Sequence, residues 1–489
     1  MLRQRFHKPL DAAAEVLGSS VEEDRVLLPY DILANLAHVR MLRRVGLLDQ
    51  RAWVRLEAGL KQLYREAAEG TFELDPALED VHMNVESEMT RRLGDIGARL
   101  PTGRSRNDLV ATDILLYLRD VLTHLEGRLL ESVRALLDLS EGPEGRLVYP
   151  AATHLQDAQR VYLAQLLQVH AHRFLRDAHR LRKIREGLEQ CPFGAGALAG
   201  SSLPLDPAYT ASLLGFAGAN PNSVDAVSDR DASAETVLVL ALAAVHVSSL
   251  AEEWVLWSTP QFGRLRMGDE FVTTSSLMPH KRNPDMAELL RGQAAVLSGS
   301  AAASLGVLKG LPLSYNRDLQ LGKRVLIGAL EDVRKIFDLL PGMIKSAHFA
   351  ELPEETGAGL TASVELVNAL VTQGVPFRTA HERVASYLRA REGKGILAFD
   401  PSAPDWLRTF PELRASGWVP PVPREEPESR PTWGGSSRTS VTLDRTRLAK
   451  DLAESERALR TESRRLEAVE ARLLAGTGPK GPSKSKIRS

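Results

Sequence analysis

Three long segments without an internal proline carry residues that favour helices. They span residues 158–188, 232–256 and 287–308 and are rich in Ala, Leu, Arg and Glu. The second segment is apolar on nearly every side, which is typical of a helix buried among other helices. Because only neighbouring helices can cover so much apolar surface, these segments predict a bundle of long helices. Strictly alternating runs are scarce, so we expect few strands.

The 489-residue chain is nearly neutral, with 62 basic and 63 acidic side chains. This balance argues against bulk attraction to nucleic acid or to an anionic membrane, so an anionic substrate would need particular arginines and lysines. Cys191 is the one cysteine, and no Cys/His spacing is typical of a zinc site, so we expect no metal. The N-terminus does not resemble a signal peptide, and the most apolar run, residues 237–245, is too short to span a bilayer. We therefore expect a soluble, cytoplasmic protein.

Clusters of glycine and proline divide the chain. Residues 100–108 (LPTGRSRND) interrupt an N-terminal helical region, residues 191–207 are expected to form a loop, and residues 420–437 an exposed connection. A final charged helix carries a leucine every seven residues, which predicts a narrow seam packed against the body. These leucines are Leu452, Leu459, Leu466 and Leu473. The composition of residues 476–489 predicts a disordered tail.

The segment at residues 273–285, TTSSLMPHKRNPD, combines hydroxyls, cations and an amide between two prolines. Loops of small polar residues with convergent donors often hold anionic groups. The segment resembles the signature of the fumarase/aspartase superfamily, Gly-Ser-Ser-x-Met-Pro-x-Lys-x-Asn-Pro. It departs from that signature at Thr274, where the family has glycine. The matching residues are Ser275, Ser276, Met278, Pro279, Lys281, Asn283 and Pro284.

Further segments are similar to the argininosuccinate lyase branch of this superfamily. They are EDVH (79–82), TGRSRND (102–108), THLQDAQ (153–159), GAGALAGSSLPLD (194–206), NSVDAVSDRD (222–231), LKGLPLSYNRDLQ (308–320) and the GG before Ser436. The resemblance implies a mainly α, fumarase/aspartase-like three-domain fold. Its central long-helix bundle would form the core of a homotetramer, with active sites built from three subunits. The expected domains are an N-terminal helical domain (1–108), a central bundle (109–360) and a C-terminal helical domain (361–475).

The reaction implied by the resemblance breaks a C–N bond of a succinyl-amine and releases fumarate. Removing a proton beside a carboxylate creates a dianion that fixed donors must stabilise. By resemblance, Ser275 is the base, and Lys281 and Asn283 hold the carboxylate on which charge accumulates. A serine can act as a base only if backbone N–H groups and a nearby cation favour its alkoxide in a site closed to water. A loop that closes over the substrate would meet this need.

The resemblance also assigns the acid side and the substrate contacts. His154 would protonate the leaving nitrogen or position the group that does so, and Glu288 matches its partner carboxylate. Arg106 and Asn107 match residues that bind substrate carboxylates. Further residues in matching substrate-binding segments are Ser105, Thr153, Tyr315, Gln320, Lys323 and His82. No nucleotide loop or flavin motif is present in the sequence, and the elimination needs no cofactor.

Several residues depart from the family pattern. They are Asn35 in place of serine, Pro101 in place of histidine, Leu109 in place of glutamine, Arg160 in place of proline, Thr274 in place of glycine, and Leu321 with Gly322 in place of an acidic pair. The implied function is the conversion of argininosuccinate to L-arginine and fumarate, as in arginine biosynthesis. Two alternatives stay open: a sister lyase that acts on adenylosuccinate or aspartate, and an inactive structural paralogue of the kind represented by lens delta-crystallins.

Overall fold

A computed structural model describes residues 7–353, 361–392 and 405–477. These residues are mainly helical. The helices are α1 Ala12–Gly18, α2 Val21–Asp24, α3 Leu28–Arg44, α4 Gln50–Ala68, α5 Val81–Leu93, α6 Arg106–Glu141, α7 Leu163–Gly187, α8 Pro207–Leu213, α9 Ser223–Ser228, α10 Asp231–Trp257, α11 Asp285–Leu308, α12 Asp318–Lys345, α13 Ser363–Thr372, α14 Phe377–Glu392, α15 Asp405–Thr409, α16 Pro411–Ser416 and α17 Arg438–Ala475.

The strands of the described residues are short and form three two-stranded sheets. They are β1 Val148–Thr153, β2 Gln156–Tyr162, β3 Gln190–Cys191, β4 Gly218–Ala219, β5 Leu265–Arg266 and β6 His348–Phe349. The pairs β1–β2 and β5–β6 are antiparallel, whereas β3–β4 is parallel. The expectation of few strands is confirmed.

Five long helices form the centre of the molecule. Helix α6 packs along α7, α10 packs along α7 and α11, and α12 contacts α6, α10 and α11. Their apolar faces share one core with α3, α4 and α5. The predicted bundle of long helices is confirmed.

Helix α10 leaves part of its apolar surface exposed in the single chain. By length and hydropathy this 27-residue helix could cross a membrane, and 56% of its most apolar window is buried in the protein. One face packs on neighbouring helices, but Leu238, Leu242 and Val245 are 38%, 40% and 49% exposed. The prediction of a helix surrounded by other helices is therefore only partly right for a single chain.

The second long helix begins later than predicted. Residues 158–162 belong to β2, which pairs with β1 in the register Val148↔Tyr162 and Pro150↔Arg160, and α7 starts only at Leu163. The β-branched and aromatic residues of the two strands favour this pairing over helix continuation. Because a hairpin needs both strands, the helix-compatible composition of residues 158–162 alone was misleading.

Helix α17 packs on the central bundle through the predicted leucine seam. It contacts α3, α6 and α7, and Leu452 and Leu473 are each 2% exposed. A separate small core is formed by residues of α13, α14, α15 and α16, so this core includes only part of the C-terminal domain predicted at residues 361–475. Helix α17 is capped at its C-terminus by Gly476, which has the left-handed conformation. The predicted tail lies outside the described residues from position 478 onward.

The segment at residues 420–437 is only partly the exposed connection that its prolines suggested. Glu426 and Ser436 are 1% and 3% exposed, and Pro427 is buried as well. The carboxylate of Glu426 forms ion pairs with Arg160 and Arg430. The burial of this charge could not be recognised from composition, because one of its partners, Arg160, is distant in sequence.

Candidate active site

The signature segment forms a loop that is closed at its base. Thr273 N–H donates to the Asn283 carbonyl at 3.2 Å, and Asn283 N–H donates to the Thr273 carbonyl at 2.8 Å. Arg282 anchors the base, since its guanidinium donates to the Met267 carbonyl at 3.0 Å and pairs with Asp269 at 2.6 Å. The loop therefore projects from a fixed base.

Ser275 lies in this loop with its hydroxyl oxygen facing backbone donors. Its Oγ accepts the N–H of Leu277 at 3.2 Å and the N–H of Met278 at 3.1 Å. Two aligned N–H dipoles favour negative charge on that oxygen. Lys281 is exposed and forms no ion pair with the part of the chain that the structure describes. Its ammonium group is thus available to an anionic ligand.

Thr274 does not require the freedom of the family glycine. The described non-glycine residues with positive φ are His154, Leu155 and Ser314, and Thr274 is not among them. A side chain at this position therefore causes no left-handed strain in this loop conformation. Tip residue Leu277 is 84% exposed, so the loop tip has no cover in the single chain.

His154 lies at the tip of the β1–β2 hairpin. Thr153 pairs with Gln156, and the two residues between them, His154 and Leu155, have φ values of 56° and 58°. Positive φ at both central residues is the pattern of a type I′ turn, which normally selects Asn or Gly. Such strain in non-glycine residues persists where the surroundings determine it, often at functional sites. Both side chains are exposed.

Glu288 lies in the first turn of α11 and is exposed. The short sequence distance to the signature loop places it near the base of that loop, since α11 begins at Asp285, two residues after Asn283. Three of the predicted residues on this side, Lys281, Asn283 and Glu288, thus belong to one loop-to-helix junction.

The N-terminus of α6 presents the predicted carboxylate-binding residues. Ser105 caps the helix and accepts the N–H of Asn107, whose side chain donates to the Ala197 carbonyl at 3.0 Å. The Nη1 of Arg106 lies 3.1 Å from Glu79 and 3.0 Å from Asp80. Burial lowers the pKa of Arg106, but these two carboxylates outweigh it and raise the pKa above its usual range.

Asp108 is a structural residue that sequence reasoning missed. Its carboxylate accepts the N–H groups of Ser105 at 3.0 Å, Gly194 at 3.0 Å and Gly196 at 2.8 Å. Burial raises the pKa of Asp108 to about 6, although the three N–H donors act in the opposite direction. The residue joins the loop after β3 to the start of α6. The Ser-x-x-Asp spacing of a capping box was the signal that could have found it.

His82 is buried and bonded to protein carboxylates. It is 2% exposed, and its Nδ1 lies 2.6 Å from Asp31 and 3.5 Å from Asp113. Asn35, one of the residues that depart from the family pattern, donates to the other Asp31 oxygen at 2.9 Å. Motif spacing did not reveal the two aspartates, because they lie on α3 and α6, far from His82 in the chain. In this conformation His82 is bonded inside the protein and does not face solvent.

Asp31, His82 and Asp113 are close enough together to share a cation. The ligand atoms of Asp31, His82 and Asp113 lie within 4.8 Å of one another. The 2.6 Å separation of His82 from Asp31 is that of a charge-assisted hydrogen bond, so a proton on the imidazole fits the geometry. Burial lowers the pKa of His82, but the hydrogen bond to Asp31 and the surrounding carboxylates outweigh it and raise the pKa to about 9.

A pH dependence of stability follows from this histidine. The unfolded imidazole releases its proton near pH 6.5 and the folded one near pH 9, so the contribution is fully present below pH 6.5 and is lost as the pH rises to 9. We expect the free energy of unfolding to fall by up to about 3 kcal/mol across that range. Denaturant unfolding at pH 6.5 and 9 measures it. His82→Gln should remove most of the difference, and an equal loss in that variant would contradict the assignment.

A third group of predicted residues lies where α12 meets the N-terminal segment. Lys323 pairs with the buried Asp24, and the side-chain amide of Gln320 donates to the Gly18 carbonyl at 3.2 Å. Tyr315 is half-buried, and burial raises its pKa. Arg317 pairs at 2.9 Å with Glu79, which also pairs with Arg106. The α12 residues and Arg106 therefore belong to one connected group.

The single chain thus presents three sets of predicted residues. The first is the signature loop with Glu288, the second is the hairpin tip with Thr153 and His154, and the third is the α6–α12 group. Within residues 7–353, no hydrogen bond or ion pair joins one set to another.

Three of the seven departures from the family pattern are buried. Asn35 and Leu109 are fully buried, and Arg160 is 3% exposed. Leu321, at 54% exposure, lies in the first turns of α12. The three buried side chains contact the protein itself, so they are not placed to select the leaving amine directly.

Comparisons with known proteins show which family this chain resembles. A sequence profile of the family described as Lyase matches residues 4–299, more than half of the chain. An argininosuccinate lyase from Desulforudis audaxviator (strain MP104C) is 44% identical over 382 residues, which are 78% of this chain and 83% of that protein. An argininosuccinate lyase from Pelotomaculum thermopropionicum is 41% identical over 418 residues, covering 84% of this chain and 89% of that protein.

A solved structure supports the fold. The crystal structure of EDDS lyase in complex with formate has a TM-score of 0.78 and 24% sequence identity, and the match covers 95% of this chain and 93% of that chain. The predicted fumarase/aspartase-like fold is therefore confirmed. Because relatives more than 40% identical cover over three quarters of both chains, the protein belongs to the argininosuccinate lyase family.

Proposed function

We propose that this protein eliminates fumarate from argininosuccinate and releases L-arginine. The observation that carries the proposal is the Ser275 hydroxyl oxygen, which accepts two backbone N–H groups on the signature loop. This is the environment that a serine base requires. Relatives named argininosuccinate lyase support the choice of substrate.

In the proposed mechanism, Ser275 removes the proton beside the substrate carboxylate. Lys281 and Asn283 hold that carboxylate as it gains charge, since a fixed cation and a fixed amide stabilise a developing dianion. The C–N bond then breaks, and the leaving nitrogen takes a proton delivered from the side of His154, with Glu288 as the partner carboxylate. No redox step or external group is needed for the atoms to balance.

Arg106 is proposed to bind a substrate carboxylate. Its Nη1 is engaged by Glu79 and Asp80, and its side chain is 35% exposed. A guanidinium has five N–H donors, so Nη2 and Nε can bind a carboxylate while Nη1 keeps its protein partners. Asn107, Ser105, Thr153, Tyr315 and Gln320 are proposed to contact the substrate, while Lys323 and His82 reach it only through their buried partners in this conformation.

We further propose a homotetramer in which the three sets of residues come from different subunits. The exposed apolar residues of α10, together with Leu289 and Val296 of α11 at 64% and 54% exposure, form a face suited to another copy. A shared site would also explain why no hydrogen bond or ion pair joins the three sets within residues 7–353 of one chain. We place the enzyme in the cytoplasm, where its single buried Cys191 stays reduced.

The purified protein with argininosuccinate should produce fumarate, measured by its ultraviolet absorbance. Adenylosuccinate and aspartate are each tested as alternative substrates under the same conditions. Turnover of only one of these two would replace argininosuccinate with a sister substrate. A folded protein inactive on all three would instead indicate the structural paralogue.

A further inference from the structure

Two charged side chains close the open edge of β2. Arg160 lies in β2 opposite Pro150 of β1. Its N–H donates to Glu426 Oε1 at 3.4 Å, and its carbonyl accepts from Arg430 Nη1 at 3.3 Å. Both backbone groups therefore point away from β1, and Glu426 and Arg430 supply the bonds that a third strand would make.

These charges are buried and bonded to one another. Arg160 and Glu426 are 3% and 1% exposed, and Arg430 Nη2 lies 2.9 Å from Glu426 Oε1. Glu426 Oε2 accepts the Thr361 hydroxyl at 2.8 Å, and Arg430 also pairs with Glu365 at 2.7 Å. The cluster thus joins β2 to the start of the small C-terminal core. We call Arg160, Glu426 and Arg430 the β2 clamp.

The base of the hairpin is fixed on its other side as well. The Tyr149 hydroxyl of β1 donates to the Ala350 carbonyl at 2.6 Å, and the ring is fully buried. The Tyr162 hydroxyl at the end of β2 donates to Glu428 at 2.6 Å. The tip with His154 is exposed and lies six residues from Arg160. The β2 clamp and the two tyrosines thus hold the base from which the tip with His154 extends.

We propose that the β2 clamp positions His154 for proton delivery to the leaving amine, which makes Glu426 a positioning residue. The inference rests on the proposed function, in which His154 acts on the leaving-nitrogen side. Arg160 occupies a position where the resembling family has proline, a residue with neither an N–H nor a charge. Arg160 therefore supplies this chain with an N–H group and a charge that the family proline lacks. Displacing a catalytic group by about 1 Å lowers turnover strongly without weakening the contacts that bind the substrate.

The test is Glu426→Gln, which removes the charge and keeps the side-chain shape. We expect kcat for argininosuccinate to fall about tenfold or more while KM stays within about twofold. The matched control is Glu412→Gln, which breaks the 2.7 Å ion pair with Arg383 in the same C-terminal region. That control should leave kcat and KM within about twofold of the wild type, because the Arg383 pair does not contact the hairpin.

Different results would contradict the role of the β2 clamp and the proposed function. A folded Glu426→Gln protein with unchanged kcat, or with its loss confined to KM, overturns the role of the clamp. If this variant does not fold, Thr361→Val decides, because it removes one hydrogen bond to Glu426 and keeps the volume. Its kcat should fall about threefold, and an unchanged kcat overturns the inference. Wild-type protein that forms no fumarate from argininosuccinate overturns the proposed function instead.

Discussion

Ser275→Ala is expected to lower the rate of fumarate formation about a thousandfold or more, while the protein remains folded. The hydroxyl oxygen receives two backbone N–H bonds, and alanine leaves no atom there to take the substrate proton. The loop should keep its shape, because its closure depends on the backbone of Thr273 and Asn283 and on the Arg282 anchor. Steady-state kinetics with argininosuccinate provides the measurement.

The matched control for this prediction is Ser416→Ala. This residue is exposed, and its hydroxyl donates to the Leu413 carbonyl of its own helix and accepts the N–H of Trp418 at 3.3 Å. The control should keep wild-type kinetics within about twofold, since surface substitutions of this kind have small effects. If Ser275→Ala retained a tenth or more of the wild-type rate, another group would have to be the base.

His154→Asn is expected to lower kcat about a hundredfold with little change in KM. Asparagine tolerates positive φ better than most residues, so the turn at φ 56° should persist without the imidazole. The loss can then be attributed to proton delivery rather than to hairpin geometry. His172→Asn provides the control, because that histidine pairs with Asp444 on the surface of α7. A kcat like that of the wild type would remove His154 from the mechanism.

Mixing the two inactive variants tests whether subunits share a site. If Ser275 and His154 of one site come from different chains, hybrids formed after dissociation and reassociation contain some sites with both residues. Equal mixing should restore up to about a quarter of wild-type activity. Hybrids that form, as shown by native mass spectrometry, yet stay inactive would place both residues of one chain in one site.

The hairpin shows where sequence reasoning reached its limit. The period of residues 158–188 indicated one helix, yet four of these residues, 159–162, pair with β1. The strand depends on a partner that lies before the turn, and single-segment periodicity does not include that partner. The catalytic assignment of His154 came from a motif resemblance. Its strained position at a two-residue turn became visible only in three dimensions.

The buried charges were equally hidden. Glu426 lies in a proline-rich segment that suggested exposure, and Asp31 and Asp113 lie on helices whose sequence gave no sign of His82. Each of these carboxylates is stabilised by cations or donors far away along the chain. Such pairs form only when the fold brings distant segments together.

Local sequence was enough to predict the long helices, the loop rich in polar side chains and the family to which the motifs point. These features are local, because helical period and motif spacing depend on neighbouring residues. The tertiary structure decided which groups meet: the N–H donors at Ser275, the carboxylates around His82 and the clamp at the base of the hairpin. Those contacts depend on packing between distant segments, where burial makes each hydrogen bond and charge pair count.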